Sequence, residues 1–153
     1  MSKLFTSRSV VSQRHSDKRG LKPITQRGQQ NVGRQILVID DEPLLCQLIH
    51  DYLKPLGFRV LLAGSGRDGL RMARRHEVHA IILDINLGDM TGFDVIAILK
   101  RRVNTRDIPV IAFTGLAQED ERKAILAAGC NHYVRKPIHL SKLAAIVSRA
   151  ASK

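Results

Sequence analysis

The sequence is poor in aromatic residues and has no tryptophan; Phe, Tyr and Trp together make up 4% of its 153 residues. Hydrophobic residues still reach 44%, so any core must be built mainly from aliphatic side chains. The sequence also lacks an apolar run of the roughly 18 residues that a membrane helix requires, so no membrane span is expected. Its length suits one domain of ordinary size.

Cysteine and histidine are too few and too scattered to form a recognisable metal site. The two cysteines, Cys46 and Cys130, lie far apart, which argues against a zinc pair and a disulfide framework and makes a reducing cytoplasm the default. We interpret each as a small buried hydrophobic residue. No glycine-rich phosphate loop precedes a predicted helix, so nucleotide binding is not expected.

Acidic residues are nearly absent from the first 34 positions, which hold eight Lys or Arg and one acid, Asp17. The remaining residues hold 17 basic and 13 acidic side chains, so most of the net charge of +11 belongs to this segment. Its apolar residues follow no period, and such a composition buries too little surface to offset the entropy of folding. We predict a basic, disordered arm over residues 1–34 and a folded domain over residues 35–153. A short targeting peptide and a start codon assigned too far upstream are alternative explanations of the arm.

Five short apolar runs follow the arm. They occupy residues 36–39, 60–63, 80–83, 110–113 and 133–134. The runs are continuous and do not alternate with polar residues, which is typical of parallel strands covered on both faces. They therefore predict the strands of a buried parallel sheet.

Helical patterns lie between these runs. Two apolar stripes indicate the first and last helices: Leu44, Leu45, Leu48, Ile49, Tyr52 and Leu53, and then Leu140, Leu143, Ala144 and Val147. Ser65 with Asp68, and Thr91 with Asp94, have the spacing of capping boxes and mark two further helix starts. Gly129 fits the C-terminal cap of a fourth helix. Strand and helix thus alternate five times, which predicts an open α/β sheet with helices on both faces.

Polar side chains follow four of the five runs. Asp40 and Asp41 follow the first run, Asp84 the third, Thr114 the fourth and Lys136 the fifth. In an open α/β sheet, ligands bind beyond the carboxyl ends of the strands. Three clustered carboxylates repel one another unless a cation joins them, and oxygen ligands without His or Cys favour magnesium over zinc. A carboxylate can also be the nucleophile that forms an aspartyl phosphate, with an ammonium and a hydroxyl on the phosphoryl oxygens.

Each of these features has an ordinary structural explanation when it is taken alone. An acidic run before a helix can be simple charge bias at a helix N-terminus. Asp84 could end a strand and open a turn, and Tyr133 could be a core residue whose hydroxyl reaches water. The joint placement of the polar residues at strand ends is what favours a site.

Together, these residues resemble the response-regulator receiver domain of two-component signalling. The resemblance covers residues 35 to about 150. It rests on the pair Asp40 and Asp41, the stretch DINLGDMTG at 84–92, the step Thr114 to Gly115, and YVRKP at 133–137. It implies the flavodoxin-like receiver fold, an α/β fold with a five-stranded parallel sheet in the order 2-1-3-4-5.

The resemblance also implies a metal site. Asp84 would be the phosphoacceptor, and Asp41 and Asp84 would be direct ligands of Mg²⁺ or Mn²⁺. The backbone carbonyl of Asn86 would be a third ligand, and Asp40 would act through water. The sequence departs from the family at Gly88, where receivers often have proline; a glycine there permits a looser loop but removes no chemical group.

The same resemblance assigns the phosphoryl contacts and the switch. Lys136 would contact the phosphoryl group, and receivers usually have a cis peptide bond between this lysine and the proline that follows, here Pro137. Thr114 and Tyr133 would be the switch pair that rearranges on phosphorylation. Leu116 is apolar where some receivers carry a polar residue, at a position that influences the lifetime of the phosphoryl group.

The function implied by the resemblance is signalling and not catalysis on a separate substrate. A phosphohistidine on a histidine kinase or a phosphotransfer protein would donate to Asp84, in the cytoplasm. No output domain follows the last predicted helix, so we expect output by contact with a downstream protein or by phosphorelay. A phosphorylation-dependent homodimer is compatible with this interpretation.

Two other functions share some of these features. A phosphatase with an aspartyl nucleophile would usually need a second Asp two residues after the nucleophile, and Asn86 occupies that position. A nucleic-acid binder could use the basic arm, but the arm has a single aromatic residue, Phe5, and so little capacity for base stacking. At most it would make salt-sensitive phosphate contacts, and a nucleic-acid partner is not expected from the sequence.

Overall fold

The computed structural model of the chain describes residues 29–115 and 118–153. The arm predicted over residues 1–34 therefore lies mostly outside the described residues, as does the prediction on Leu116. No helix in the described part of the chain is both long and apolar enough to cross a membrane.

Five parallel strands form the centre of the described structure. They are β1 (Gln35–Ile39), β2 (Arg59–Ala63), β3 (Ala80–Leu83), β4 (Val110–Thr114) and β5 (His132–Arg135). Their order in the sheet is β2-β1-β3-β4-β5, and every neighbouring pair is parallel. The five strands predicted from the apolar runs are confirmed, and so is the sheet order that the family resemblance implied.

Helices connect the strands and cover the sheet. The α-helices are α1 (Pro43–Leu53), α2 (Gly66–Arg75), α3 (Gly92–Arg101), α4 (Glu119–Ala127) and α5 (Leu140–Ala150), and a short 3₁₀ helix spans Lys54–Leu56. Each α-helix from α1 to α4 runs from the carboxyl end of one strand back to the amino end of the next. The N-termini of α1 to α5 therefore lie at the same edge of the sheet as the carboxyl ends of the strands.

Alternate residues of each strand supply two separate cores, because successive side chains point to opposite faces of a sheet. In β1, Ile36 and Val38 pack with Ile49, Leu53 and the α5 residues, whereas Leu37 and Ile39 pack on the other face. That second face is covered by α2, α3 and α4, through residues such as Val95, Leu99 and Ile125. The central strands are buried on both faces, which explains why their sequences are continuously apolar.

Local hydrogen bonds fix the starts of two helices where the sequence predicted them. Thr91 and Asp94 form a complete capping box at the start of α3. At the start of α2, the Ser65 hydroxyl accepts a hydrogen bond from the Asp68 amide at 3.2 Å. Gly129 follows α4 with a φ of 115°, a left-handed conformation that favours glycine after a helix.

The apolar stripe predicted for α1 is only partly correct. Ile49 and Leu53 are buried together with Cys46, but Leu44 is 87% exposed and Leu48 53% exposed. Leucines occur on both sides of this helix, so the periodicity alone could not select the side that packs on the sheet. The structure therefore leaves an apolar stripe on the outer face of α1.

The described chain begins before the predicted boundary at residue 35. The Asn31 amide nitrogen donates to the carbonyl of Leu56 at 3.1 Å, and its amide oxygen accepts from the Ser148 hydroxyl at 2.9 Å. The Arg34 guanidinium also donates to the carbonyl of Ala151. Asn31 is only 3% exposed, so the end of the segment assigned to the arm is packed against the 3₁₀ helix and α5.

We expect Asn31→Ala to lower the free energy of unfolding by about 1–3 kcal/mol, since it leaves a buried carbonyl and a hydroxyl without partners. Urea denaturation of the full chain measures this change. The neighbouring Val32→Ala is the control, because Val32 is 72% exposed and its truncation should change stability by less than about 0.5 kcal/mol. Equal effects of the two substitutions would contradict this account of residues 29–34.

Candidate functional site

The parallel sheet brings the ends of β1 and β3 together. The Asp40 amide donates to the carbonyl of Ala63 at 3.1 Å, and the Asp84 amide donates to the carbonyl of Ile39 at 2.9 Å. Both residues thus continue the ladder one position beyond their strands. Asp40 and Asp84 are almost fully buried, at 3% and 5% exposure.

Asp41 completes a cluster of three carboxylates at this edge. One oxygen from each of Asp40, Asp41 and Asp84 lies within 4.8 Å of the others. Asp41 is exposed, so the cluster has two buried members and one that faces solvent. Carboxylates this close repel one another, which makes a bound cation electrostatically favourable.

Lys136 reaches this cluster from the loop after β5. Its Nζ lies 2.8 Å from Asp40 Oδ2 and 3.5 Å from Asp84 Oδ2. A further contact of 3.5 Å joins it to Glu42 Oε1. The peptide bond between Lys136 and Pro137 is cis, as the family resemblance implied. The ammonium also lies 5.4 Å from the centre of the Phe113 ring.

Burial and charge shift the pKa values of the site in different ways. Burial raises the pKa of Asp84, while the hydrogen bond from the Asn86 amide and the charge of Lys136 oppose this rise. Burial alone would lower the pKa of Lys136, but its hydrogen bond to Asp40 and the charges of Asp40 and Asp84 outweigh burial, so that pKa is raised. Lys136 is therefore a permanent cation at neutral pH, and added positive charge would favour ionised Asp84.

The two predicted switch residues lie on the neighbouring strands. Thr114 ends β4 and is fully buried, and its carbonyl accepts a hydrogen bond from the Lys136 amide at 2.9 Å. Tyr133 is half-buried in β5 and packs with the core on the α2–α4 side of the sheet. The structure thus places Thr114 beside the backbone of Lys136.

The loop between β3 and α3 is tightly closed. Asn86 and Thr91 form an antiparallel bridge, and the Gly92 amide donates to the carbonyl of Ile85 at 2.7 Å. A Cβ atom at Gly92 would lie 2.6 Å from the Ile85 Cα, so only glycine allows this approach. Within the loop, the Asn86 amide donates to Asp84 Oδ1 at 3.2 Å.

Asp89 attaches the same loop to α2. Its two carboxylate oxygens accept hydrogen bonds from the amides of Gly66 and Arg67, at 2.8 and 3.0 Å. These bonds hold the pKa of Asp89 below its usual range. A carboxylate at a helix N-terminus is electrostatically favourable, so this contact joins the loop after β3 to the start of α2.

Sequence reasoning missed several residues around the site. Glu42 was not among the predicted site residues, and its contact with Lys136 joins residues 94 positions apart. Cys46 donates from its Sγ to the Asp40 carbonyl at 3.3 Å, and burial, followed by the nearby Asp40 charge, raises its pKa to about 11. The acidic run DDE before α1 was the available signal for Glu42. The role of Asp89 had no local signal.

A sequence comparison identifies the family of this chain. Residues 36–148 match the family described as the response regulator receiver domain. The chain belongs to the response regulator receiver family. It is therefore a signalling protein of two-component systems, as the residues at the sheet edge indicated.

Curated relatives and solved structures agree with this assignment. The chain is 31% identical over 109 residues to the polar-differentiation response regulator DivK of Brucella ovis, a match that covers 71% of this chain and 89% of DivK. It is 32% identical to the receiver domain of the sensor histidine kinase PA1611 of Pseudomonas aeruginosa, with a TM-score of 0.73 and coverage of 80% and 100%. The chemotaxis protein CheY4 of Vibrio cholerae, 24% identical, has the same fold with a TM-score of 0.72, over 76% of this chain and 98% of CheY4.

The receiver's acidic cluster fits a divalent metal. Its three side chains offer only oxygen ligands, and one of them is exposed, which suits a magnesium ion that keeps several waters. The PA1611 receiver domain has a magnesium ion coordinated in its active-site cleft. Asp40, Asp41 and Asp84 of this receiver are placed so that they could hold a metal ion.

We predict that Asp89→Ala weakens Mg²⁺ binding by about three- to tenfold, because Asp89 supports the loop but does not lie in the acidic cluster. Isothermal titration of the receiver with MgCl₂ measures the affinity. Asp107→Ala is the matched control, since Asp107 is exposed and lies just before β4, at the other edge of the sheet. Wild-type affinity in Asp89→Ala would show that the contact with α2 does not position the site.

Proposed function

We propose that Asp84 accepts a phosphoryl group from a phosphohistidine donor, with the help of a divalent cation. The observation that carries the proposal is the position of Lys136 Nζ, 2.8 Å from Asp40 and 3.5 Å from Asp84. The ammonium fixed beside this buried carboxylate can stabilise the negative charge of an incoming phosphoryl group.

In this proposal Asp41 and Asp84 bind Mg²⁺ or Mn²⁺ directly, the backbone carbonyl of Asn86 is a third ligand, and Asp40 acts through water. The proximity of the three carboxylates supports the assignment. The hydrogen bond from the Asn86 amide to Asp84 supports it further, because it fixes this backbone next to the phosphoacceptor. The cation would neutralise the carboxylates and the phosphoryl oxygens.

The transfer exchanges one phosphorus bond for another. An ionised oxygen of Asp84 attacks the phosphorus atom, the bond from phosphorus to the donor imidazole breaks, and the electron pair of that bond stays on the imidazole nitrogen. Lys136 and the Thr114 hydroxyl contact the phosphoryl oxygens. Thr114 and Tyr133 then rearrange as a switch pair, which shifts the population between two conformations of the receiver.

Incubation with acetyl phosphate and MgCl₂ should add one phosphoryl group to the wild type, as measured by intact mass. Asp84→Asn should remain unmodified, because an amide cannot act as the nucleophile. Lys136→Ala should react about a hundredfold more slowly, since it removes a fixed positive charge from the reacting group. A phosphoryl group that persists in Asp84→Asn, or that forms equally fast without a divalent metal, would refute the proposal.

The apolar stripe on the outer face of α1 supports a second part of the proposal, that this helix is where the phosphohistidine donor docks. Such a donor must approach the edge of the sheet, and α1 begins there at Pro43, directly after Glu42, which contacts Lys136. Leu44 and Leu48 lie one turn apart on the outer face of this helix and are 87% and 53% exposed. Exposed apolar side chains next to a site are typical of a protein-binding surface.

Leu44→Glu combined with Leu48→Glu should slow phosphotransfer from a histidine kinase or phosphotransfer protein that phosphorylates the wild type, by about tenfold or more. Phosphorylation by acetyl phosphate should stay unchanged, because this small molecule needs no protein contact. Val103→Glu is the control, at a valine that is 72% exposed and follows α3 at the far edge of the sheet. Equal slowing with both phosphodonors would indicate damage to the site, and no slowing with either would exclude docking on α1.

The same proposal includes the protein that donates the phosphoryl group and the protein that receives the signal. The donor is a histidine kinase or a histidine phosphotransfer protein, and the phosphorylated receiver acts in the cytoplasm on a downstream protein or relays the group onward. The surface near Thr114 and Tyr133 is the part that phosphorylation would change, so it is the surface proposed for output or for a phosphorylation-dependent homodimer.

A further inference from the structure

Glu42 places an exposed carboxylate beside the acidic cluster. Its side chain is 65% exposed, and its Oε1 lies 3.5 Å from Lys136 Nζ. The other two carboxylates that contact this ammonium belong to Asp40 and Asp84, and both are almost fully buried. Of the three acids around Lys136, Glu42 is therefore the one that an incoming molecule meets from solvent.

Backbone contacts fix Glu42 in this place. Its amide donates to Asp40 Oδ1 at 2.9 Å, and the other oxygen of the same carboxylate accepts from Lys136. Glu42 is the N-cap residue of α1, but its side chain makes no capping hydrogen bond. One buried carboxylate thus holds both the backbone of Glu42 and the ammonium that the Glu42 side chain contacts.

The charges at this edge of the sheet do not balance. Asp40, Asp41, Glu42 and Asp84 are four carboxylates, and among the described residues Lys136 is the only Lys or Arg that forms an ion pair with any of them. Lys136 and one divalent ion at the acidic cluster would together neutralise three of these four charges. Glu42 does not belong to that cluster, so its negative charge remains beside the phosphoacceptor.

We propose that Glu42 makes the receiver discriminate against phosphodonors whose leaving group departs as an anion. This inference rests on the proposed phosphorylation of Asp84 and adds a specificity-determining residue to it. The chemical class that Glu42 leaves favoured is the donor with a phosphorus–nitrogen bond and a protonated leaving group, to which phosphohistidine belongs.

The two classes of donor differ in the charge that they bring to Glu42. With acetyl phosphate, the P–O bond breaks and its electron pair leaves on acetate, so a new negative charge forms near this carboxylate. With phosphoramidate or phosphohistidine protonated on nitrogen, the P–N bond breaks and its electron pair stays on nitrogen, so ammonia or imidazole leaves without charge. Like charges repel, and Glu42 therefore disfavours the first class more than the second.

The test compares the phosphorylation rates of the full chain with acetyl phosphate and with phosphoramidate, measured by intact mass in excess MgCl₂. Glu42→Gln removes the charge and keeps the shape of the side chain. It should raise the ratio of the acetyl phosphate rate to the phosphoramidate rate by about three- to tenfold. In about 1 M NaCl the increase should fall below about twofold, because salt screens exposed charges. Glu42→Asp keeps the charge and should keep a ratio close to that of the wild type.

Glu77→Gln is the matched control and should leave the ratio unchanged. Glu77 is exposed and lies between α2 and β3, at the opposite edge of the sheet. If Glu42 only positioned Lys136, Glu42→Gln would change both rates by the same factor, and an unchanged ratio therefore overturns the proposal. An equal change of the ratio in Glu77→Gln, or a change that salt does not reduce, overturns it as well.

The same measurements separate this inference from the proposed function on which it rests. A wild type that accepts no phosphoryl group from either donor contradicts the phosphorylation of Asp84 and the role of Glu42 together. A wild type that both donors phosphorylate, with the same ratio of rates in Glu42→Gln, refutes the role of Glu42 alone.

Discussion

The ion pair between Lys136 and Asp40 is the contact on which the arrangement of the site depends. It joins residues 96 positions apart at 2.8 Å and is flanked by Asp84 and Glu42. Without a cation, the buried carboxylates of Asp40 and Asp84 would repel each other with little water to screen them. Lys136 partly neutralises this charge and leaves exposed Asp41 available for a divalent ion. In the proposed transfer, the same ammonium would contact a phosphoryl group on Asp84.

That contact is possible because the sheet is parallel. In a parallel sheet the strands β1, β3, β4 and β5 all end at one edge, so single residues after each strand converge without long loops. The loop after β3 adds to this precision through Gly92, whose close approach to Ile85 excludes any larger residue. Asp89 connects this loop to the start of α2. The site is therefore supported by backbone contacts of the fold itself.

The receiver separates its charges along the strand direction. The acidic cluster and the exposed leucines of α1 lie at or beside the carboxyl edge of the sheet, and the exposed arginines that end α2 and α3, Arg74, Arg75 and Arg101, lie at the other edge. Helix dipoles favour this separation, because the N-termini of α1 to α5 face the carboxyl edge.

The sequence by itself determined most of the secondary structure, the parallel sheet and the polar residues that lie at its carboxyl edge. Continuous apolar runs, capping spacings such as Thr91 with Asp94, and polar residues directly after strands are local signals, and they report local conformation faithfully. The sequence could not decide which side of α1 packs on the sheet, because leucines occur on both sides of this helix. Leu45 packs against the core, whereas Leu44 and Leu48 are exposed. Nor could the sequence pair Asp89 with Gly66 or Glu42 with Lys136. Those contacts join segments distant in the chain, and only the packing of helices and strands into one sheet sets the distances between them.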